Sequence, residues 1–295
     1  MAPVSIAIIG LHGSLGKPTL DAINSGVFDD KLKFPIKALT RNDNNPSTDK
    51  IEYIKTEINS ETIDSISSAL SGVDVIVELI TPNPELFTAL EKVAEKVKPK
   101  LYIPSQFGSD IDDVRKLIPG FLTVKTQHTE NLRNLGIKTV DIVTNYFAQP
   151  GSFLYEFVTH IGIDPATNSV VQIGSLDTKS PFTRVEDIGK VVLAVATTPI
   201  DKLPNKLKVK SGSVTYKEFI ERYESSHNVV LTIKEKLTTE EAKKQLDERL
   251  KESGGFNFKD FTFYLHVAGA LGLEYDGKDN ELINPNESIW KWQKY

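Results

Sequence analysis

Val4-Ser5-Ile6-Ala7-Ile8-Ile9-Gly10-Leu11-His12-Gly13-Ser14-Leu15-Gly16, close to the N-terminus, is the stretch whose reading decides the fold. Val4 to Ile9 is a short, β-branched, nearly all-apolar run that halts at a glycine. Apolar residues at both odd and even positions suit a strand buried on both faces, as in a parallel sheet. Gly10, Gly13 and Gly16 then lead into a helix expected over residues 15–25, with Pro18 tolerated in its first turn and Gly26 as its stop.

Outward from this turn, apolar runs at residues 34–40, 51–55, 73–80, 100–104 and 137–144 read as strands. Helical stripes cover 60–71, 85–97 and 121–135. Parallel neighbours need crossover helices, so this alternation predicts an α/β fold of the Rossmann type, a doubly wound parallel sheet. Residues 1–150 are expected to form the dinucleotide-binding domain, with a helix near 184–200 returning to it. Residues 151–183 and 201–295 are expected to form a smaller α+β lobe for substrate or partner. There the rhythm changes, with short strands near 170–173 and 206–209. Two capping boxes, Thr215 with Glu218 and Thr238 with Glu241, start helices. The second of these helices is heavily charged, with a narrow stripe of Leu237, Ala242, Leu246 and Leu250; it reads either as a solvated outer helix or as a lid. Phe256, Phe258, Phe261, Phe263 and Tyr264 read either as core or as an apolar wall for a flat substrate.

Composition removes several function classes. The 295 residues carry 35 basic and 40 acidic side chains and no long basic run, so no polyanion footprint is present and no direct nucleic-acid binding is expected. The absence of cysteine excludes disulfides, thiolate catalysis and thiolate metal sites. The five histidines show no helical metal-binding pair, so no metal is expected. No window is long and apolar enough to span a bilayer, and the N-terminus lacks a basic leader, so no membrane role and a cytoplasmic location are expected.

The glycines of the turn allow positive φ and close approach of backbone to a pyrophosphate, and the helix N-terminus offers unpaired N–H groups to it. Residues 10–16 (Gly10, Leu11, His12, Gly13, Ser14, Leu15, Gly16) are therefore the expected cofactor loop. The end of the second strand selects the cofactor. NAD sites usually carry a carboxylate there, whereas Lys33 to Arg41 contains no acid. Arg41 suits a 2′-phosphate, with Lys50 as a second positive charge if its loop folds back, and the reading is NADP(H).

Ligands of such sheets lie beyond the carboxyl ends of the strands. That directs attention to Thr81 and Pro82, to Ser105, Gln106 and Phe107, and to Asn145, Tyr146 and Phe147, all expected near the cofactor. Lys125 belongs with them, one turn into its helix. No tyrosine in the chain has lysine four residues after it, and Phe121 stands at that spacing before Lys125. The usual tyrosine acid of short-chain dehydrogenases is thus excluded at this position. A lysine can itself handle protons when burial or a positive neighbour lowers its pKa, so Lys125 is the candidate catalytic residue. Simple binding and plain exposure are its other readings.

Taken together, these pieces resemble the NmrA-like, isoflavone-reductase-like atypical short-chain dehydrogenases. The carriers are Gly10 to Gly16 with Lys17, Thr40-Arg41, and Pro104-Ser105-Gln106-Phe107-Gly108, similar to that family's Pro-Ser-Glu-Phe-Gly. Further along are Lys125 with Glu130-Asn131-Leu132-Arg133 and Gly136-Ile137, then Asn145-Tyr146-Phe147, Asp187-Ile188-Gly189 and residues 207–218. The resemblance implies that Lys125 is catalytic and that Asn145 to Phe147 line the nicotinamide. Departures are Gln106 for glutamate, His12 for threonine or serine, and Thr129 where reductases of phenolic substrates often carry arginine; these count against a plant-type phenylpropanoid substrate.

Two functions follow. The first is an NADPH-dependent reductase of a small carbonyl, enone or quinone-like, aromatic compound. The second is a non-catalytic NADP(H)-binding redox sensor acting through a protein partner, for which a nuclear location would also fit.

Overall fold

The structure is a computed structural model that describes residues 2–42, 45–149 and 161–295. The expected boundary at Pro150 and the segment up to His160 lie outside the described residues. The N-terminal half runs β1 (Val4–Ile9), α1 (Gly16–Asn24), β2 (Leu32–Thr40), β3 (Ile51–Lys55), α2 (Ile63–Ala69), β4 (Val75–Glu78), α3 (Pro84–Val97), β5 (Leu101–Ile103), α4 (Ile111–Arg115), α5 (Thr123–Asn134) and β6 (Asp141–Val143). There follow β7 (Tyr146–Ala148), β8 (Ile163–Asp164), β9 (Ser169–Ile173), β10 (Lys179–Arg184), α6 (Val185–Thr197), β11 (Lys206–Lys208), β12 (Gly212–Thr215), α7 (Tyr216–His227), β13 (Thr232–Leu237), α8 (Thr239–Ser253), α9 (Phe261–Ala270) and α10 (Asn280–Ile283).

The central sheet is parallel, in the order β3-β2-β1-β4-β5. A parallel bridge from Tyr102 to Thr139 continues the sheet toward β6, which pairs with β11. The α/β fold class read from the strand–helix alternation is the one observed. Alternation within β1 explains its two buried faces. Ile6 and Ile8 join a core with Ile23 of α1 and Val191 and Val195 of α6. Ala7 and Ile9 join the opposite core with Ile66, Leu90 and Leu132, from α2, α3 and α5. Strand order reverses beside β1, so the loops leaving β1 and β4 bound a crevice at the switch point, where open α/β sheets receive ligands.

The helix expected near 184–200 is α6, and it packs directly on α1. A Cβ at Gly189 would lie 2.2 Å from the Pro18 carbonyl oxygen, so the contact admits no side chain there. Both capping boxes form, Thr215 with Glu218 and Thr238 with Glu241. The charged helix α8 buries Ala242 and Leu246, and its other faces are largely exposed.

Several elements depart from expectation. The strand expected over 137–144 is confined to β6 and Thr139's single bridge. Asn145 then takes a left-handed conformation (φ 49°) and turns the chain into β7. β10 escapes a periodicity reading because Pro181 interrupts it, although it pairs with both β7 and β12. β13 is the polar, almost wholly exposed run TIKEKL, whose pairing with β9 leaves no apolar alternation to read.

Candidate active site

The turn after β1 is held by two close approaches. Gly10 has φ 91°, and a Cβ there would lie 2.4 Å from the Leu79 carbonyl oxygen. At Gly16 a Cβ would lie 2.1 Å from the Gly10 carbonyl oxygen, so the helix can start this near the strand only with glycine at both places. Gly13 donates its N–H to Gly10 O at 2.9 Å, and Lys17 donates to Gly13 O at 3.0 Å. The amides of His12, Ser14, Leu15 and Gly16 have no acceptor among the described residues. α1 has no acidic residue in its first turn and no side-chain cap. Unpaired N–H groups at the positive end of a helix dipole form a receptor for an anion.

Gly13, Ser14 and Leu15 form one edge of a cavity of about 550 Å³. Its polar rim includes Thr81 and Pro82 after β4, Ser105 after β5, and Asn145 after β6, as the switch-point argument expects. Phe107, Tyr146 and Phe147 also line it, and Lys125 enters from the first turns of α5. The opposite wall is apolar, built by Ile111, Phe121, Leu122, Phe258, Phe261 and Leu265. The aromatic cluster therefore divides: Tyr264 is core, while Phe258, 72% exposed, and Phe261 face the cavity. Phe121, standing where a catalytic tyrosine would be sought, stacks on Phe261 with ring centroids 5.8 Å apart.

Lys125 is the only lysine among the buried charged residues described. Its ammonium makes no hydrogen bond or ion pair among the described residues. Burial holds its pKa down, to about 8, against the pull of the Glu78 carboxylate toward the charged form. An amine near neutrality in a cavity can hold or release a proton under ordinary conditions. The Asn145 side-chain amide is buried, and its Nδ2 has no partner, while its Oδ1 accepts from Ser109 Oγ at 3.1 Å. That leaves donor N–H groups at the cavity wall beside Lys125.

The backbone just before Lys125 is unusual. Leu122 has φ 43°, a left-handed conformation costly for leucine, and it sets the start of α5. Gln106 meets the same helix. Its Nε2 donates to the Lys125 carbonyl oxygen at 2.7 Å and to Thr129 Oγ1 at 2.8 Å. Thr129 Oγ1 in turn donates to Asp141 Oδ1 at 3.2 Å, and Arg133 holds the other oxygen at 2.8 Å. The Gln106 side chain thus braces α5, and it is not among the residues that line the cavity.

Lys50 is also redirected. Its Nζ pairs with Asp29 at 2.8 Å, donates to Ile23 O at 3.2 Å and sits over the Phe34 ring. The Asp29 carboxylate, in the turn that follows α1, holds it there. Arg41 itself is exposed at the end of β2, with no hydrogen bond or ion pair among the described residues. Leu11 is core, and His12 stacks on Tyr53 at 5.3 Å.

Sequence reasoning passed over two residues. Glu78, the last residue of β4, is fully buried and accepts from Tyr102 OH at 2.8 Å. It also bonds His128 Nε2 at 3.0 Å, and His128 Nδ1 reaches Glu91 at 2.8 Å. A carboxylate ending an otherwise apolar strand was the available signal for Glu78.

Comparison with known proteins gives this geometry a lineage: the sequence profile of the NmrA-like family matches residues 4–268. The chain belongs to the NmrA-like family. Among curated relatives, this NmrA-like protein is 26% identical to an isoflavone reductase homolog of Solanum tuberosum over 171 residues, which cover 55% of this chain and 53% of that one. It is 25% identical to eugenol synthase 1 of Petunia hybrida, again over 171 residues, 55% of this chain and 53% of that one. The match spans about half the length of these relatives. Solved structures show the same fold more completely. AtPrR2 with NADP+ and (+)pinoresinol superposes with a TM-score of 0.67 over 98% of this chain and 96% of that one, at 17% identity. NmrA, described as a negative transcriptional regulator, superposes with a TM-score of 0.57 over 80% and 74%, at 10% identity. Among the described residues, no helix of the NmrA-like chain is long and apolar enough to cross a membrane.

Proposed function

We propose that this protein is an NADPH-dependent reductase of a small carbonyl, enone or quinone-like compound carrying an aromatic or similarly flat apolar group. One observation carries the reading: a buried, unpaired lysine opens into the same cavity as the open amides of the glycine turn. The fit to a dinucleotide rests on that turn, where added Cβ atoms at Gly10 and Gly16 would strike backbone and where amides lack acceptors. The dinucleotides named with solved relatives support the same cofactor.

The turn at Gly13 to Leu15 would hold the pyrophosphate, and Arg41 the 2′-phosphate. Thr81, Pro82, Ser105, Phe107, Asn145, Tyr146 and Phe147 would line the nicotinamide end. The bound cofactor would supply hydride. Lys125 would give the proton, its ammonium being held near its titration point by burial. The wall of Phe121, Phe258 and Phe261 would exclude water and orient a flat substrate. In this reading residues 1–150 and α6 form the dinucleotide-binding unit, and the remaining chain closes the substrate side.

The test is NADPH consumption with a panel of quinones, enones and aromatic carbonyls. Turnover should fall at least ~100-fold in Lys125→Ala, with binding of NADPH nearly unchanged. Tight NADPH binding without turnover by any acceptor would favour the sensor instead.

A further inference from the structure

The buried carboxylate beneath the site remains to be explained. Glu78 ends β4 with no exposure, in the run Val75-Ile76-Val77-Glu78. A buried carboxylate is costly unless its oxygens are paired or hydrogen-bonded. Its Oε2 is held by two donors, Tyr102 and His128. Its Oε1 is buried and has no hydrogen-bond partner among the described residues. Half of this carboxylate is therefore left without a structural bond.

α5 brings the cavity to this group. Lys125, His128, Thr129 and Leu132 are its buried residues, and Lys125 lies three residues before His128 on the same face. His128 reaches down to Glu78, while Lys125 sits one turn nearer the cavity. The ionisable groups facing Glu78 are Tyr102 from β5, Lys125 and His128 from α5, and Glu91 of α3 behind His128. Its β1 neighbour is the apolar Ile9. Glu78 is the charged group that acts on the Lys125 ammonium, opposing its burial.

We propose that Glu78 is a positioning residue for Lys125: its buried carboxylate keeps the ammonium protonated in a cavity that would otherwise strip it. His128 and Tyr102 anchor the carboxylate so that its charge stays at this depth. The claim rests on the reading of Lys125 as the acid only for its meaning in catalysis; the electrostatic coupling stands by itself.

The experiment reads the lysine directly. The full chain is labelled competitively with acetic anhydride across a pH series, and acetylation of the Lys125 peptide is followed by mass spectrometry. Removal of a nearby opposite charge typically moves a pKa by about one unit or more. Glu78→Gln should therefore lower the Lys125 midpoint by about that much, while Glu78→Asp, which keeps the charge, should keep most of the parent midpoint. Should Glu78→Gln fail to fold, Glu78→Leu carries the test and should lower the midpoint in the same way. An unchanged midpoint in the folded Gln or Leu variant, or equal shifts in the Gln and Asp variants, would overturn the proposal. Labelling needs no turnover, so a Lys125 that proves non-catalytic would refute the reductase and leave this coupling intact.

Discussion

The Gln106 side-chain amide donates to the main-chain oxygen of Lys125 at 2.7 Å, with Gln106 itself 6% exposed. A carbonyl can only accept, so the group facing it must be the NH2 end of the amide. An ionised glutamate has no N–H to offer and would set oxygen against oxygen. Gln106→Glu should therefore destabilise the fold by about 1–3 kcal/mol, the cost of an unmatched buried group. Urea unfolding at neutral pH measures it. A variant as stable as the parent would show that α5 does not depend on this brace.

Gly16→Ala tests the turn. Its Cβ would lie 2.1 Å from Gly10 O and 2.3 Å from the Leu11 carbonyl carbon, and both are backbone atoms that cannot swing aside. The expected loss is about 1–3 kcal/mol of stability, as for overpacked cores. Isothermal calorimetry should also show NADPH binding abolished. Retained binding in a folded variant would remove the turn from the cofactor site.

Arg41→Ala separates the two dinucleotides. A lost charge-assisted contact is worth about 1.5–3 kcal/mol, so NADPH should bind roughly 10–100-fold more weakly. NADH has no 2′-phosphate, and its affinity should scarcely move. Equal losses for both would refute the assignment.

Turnover should carry the proton state of Lys125. With the ammonium as acid, activity is full at lower pH and falls as pH rises through about 8. The measurement is kcat against pH with saturating NADPH. A profile flat across that range would exclude Lys125 as the proton donor.

His128 gives stability its own pH dependence. Burial alone would lower its pKa, but hydrogen bonds and charge from Glu78 and Glu91 overcome this and raise it. A raised folded-state pKa stabilises fully below the unfolded value of about 6.5, and that contribution disappears as pH climbs through the folded one. Denaturant midpoints of the parent should therefore fall across this window more than those of His128→Asn. Parallel curves would show that the imidazole is not charged in the fold.

The sheet was legible because β4, β5 and most of β1 are buried on both faces and Gly10 halts β1, so pattern and burial say the same thing. The site was legible where chemistry sits at a strand's end: Ser105, Asn145 and Lys125 meet at one cavity. The directions of Gln106 and Lys50 were not legible, for a common reason. Both are long polar side chains whose direction depends on a partner remote in sequence, Thr129 for one and Asp29 for the other. Glu78 was missed because its role needs β4, β5 and α5 together. The polar strand β13 was missed because it pairs through backbone alone.

The contact of Gly189 with Pro18 has a practical consequence. The helix that begins at the nucleotide turn is backed by a segment encoded some 170 residues later, and the two share one apolar core with the sheet. A fragment ending before Val185 would thus expose Ile23 and its neighbours to water. Attempts to express the first half as a minimal nucleotide-binding module should yield aggregate, whereas supplying residues 185–197 in trans or by fusion should recover soluble protein.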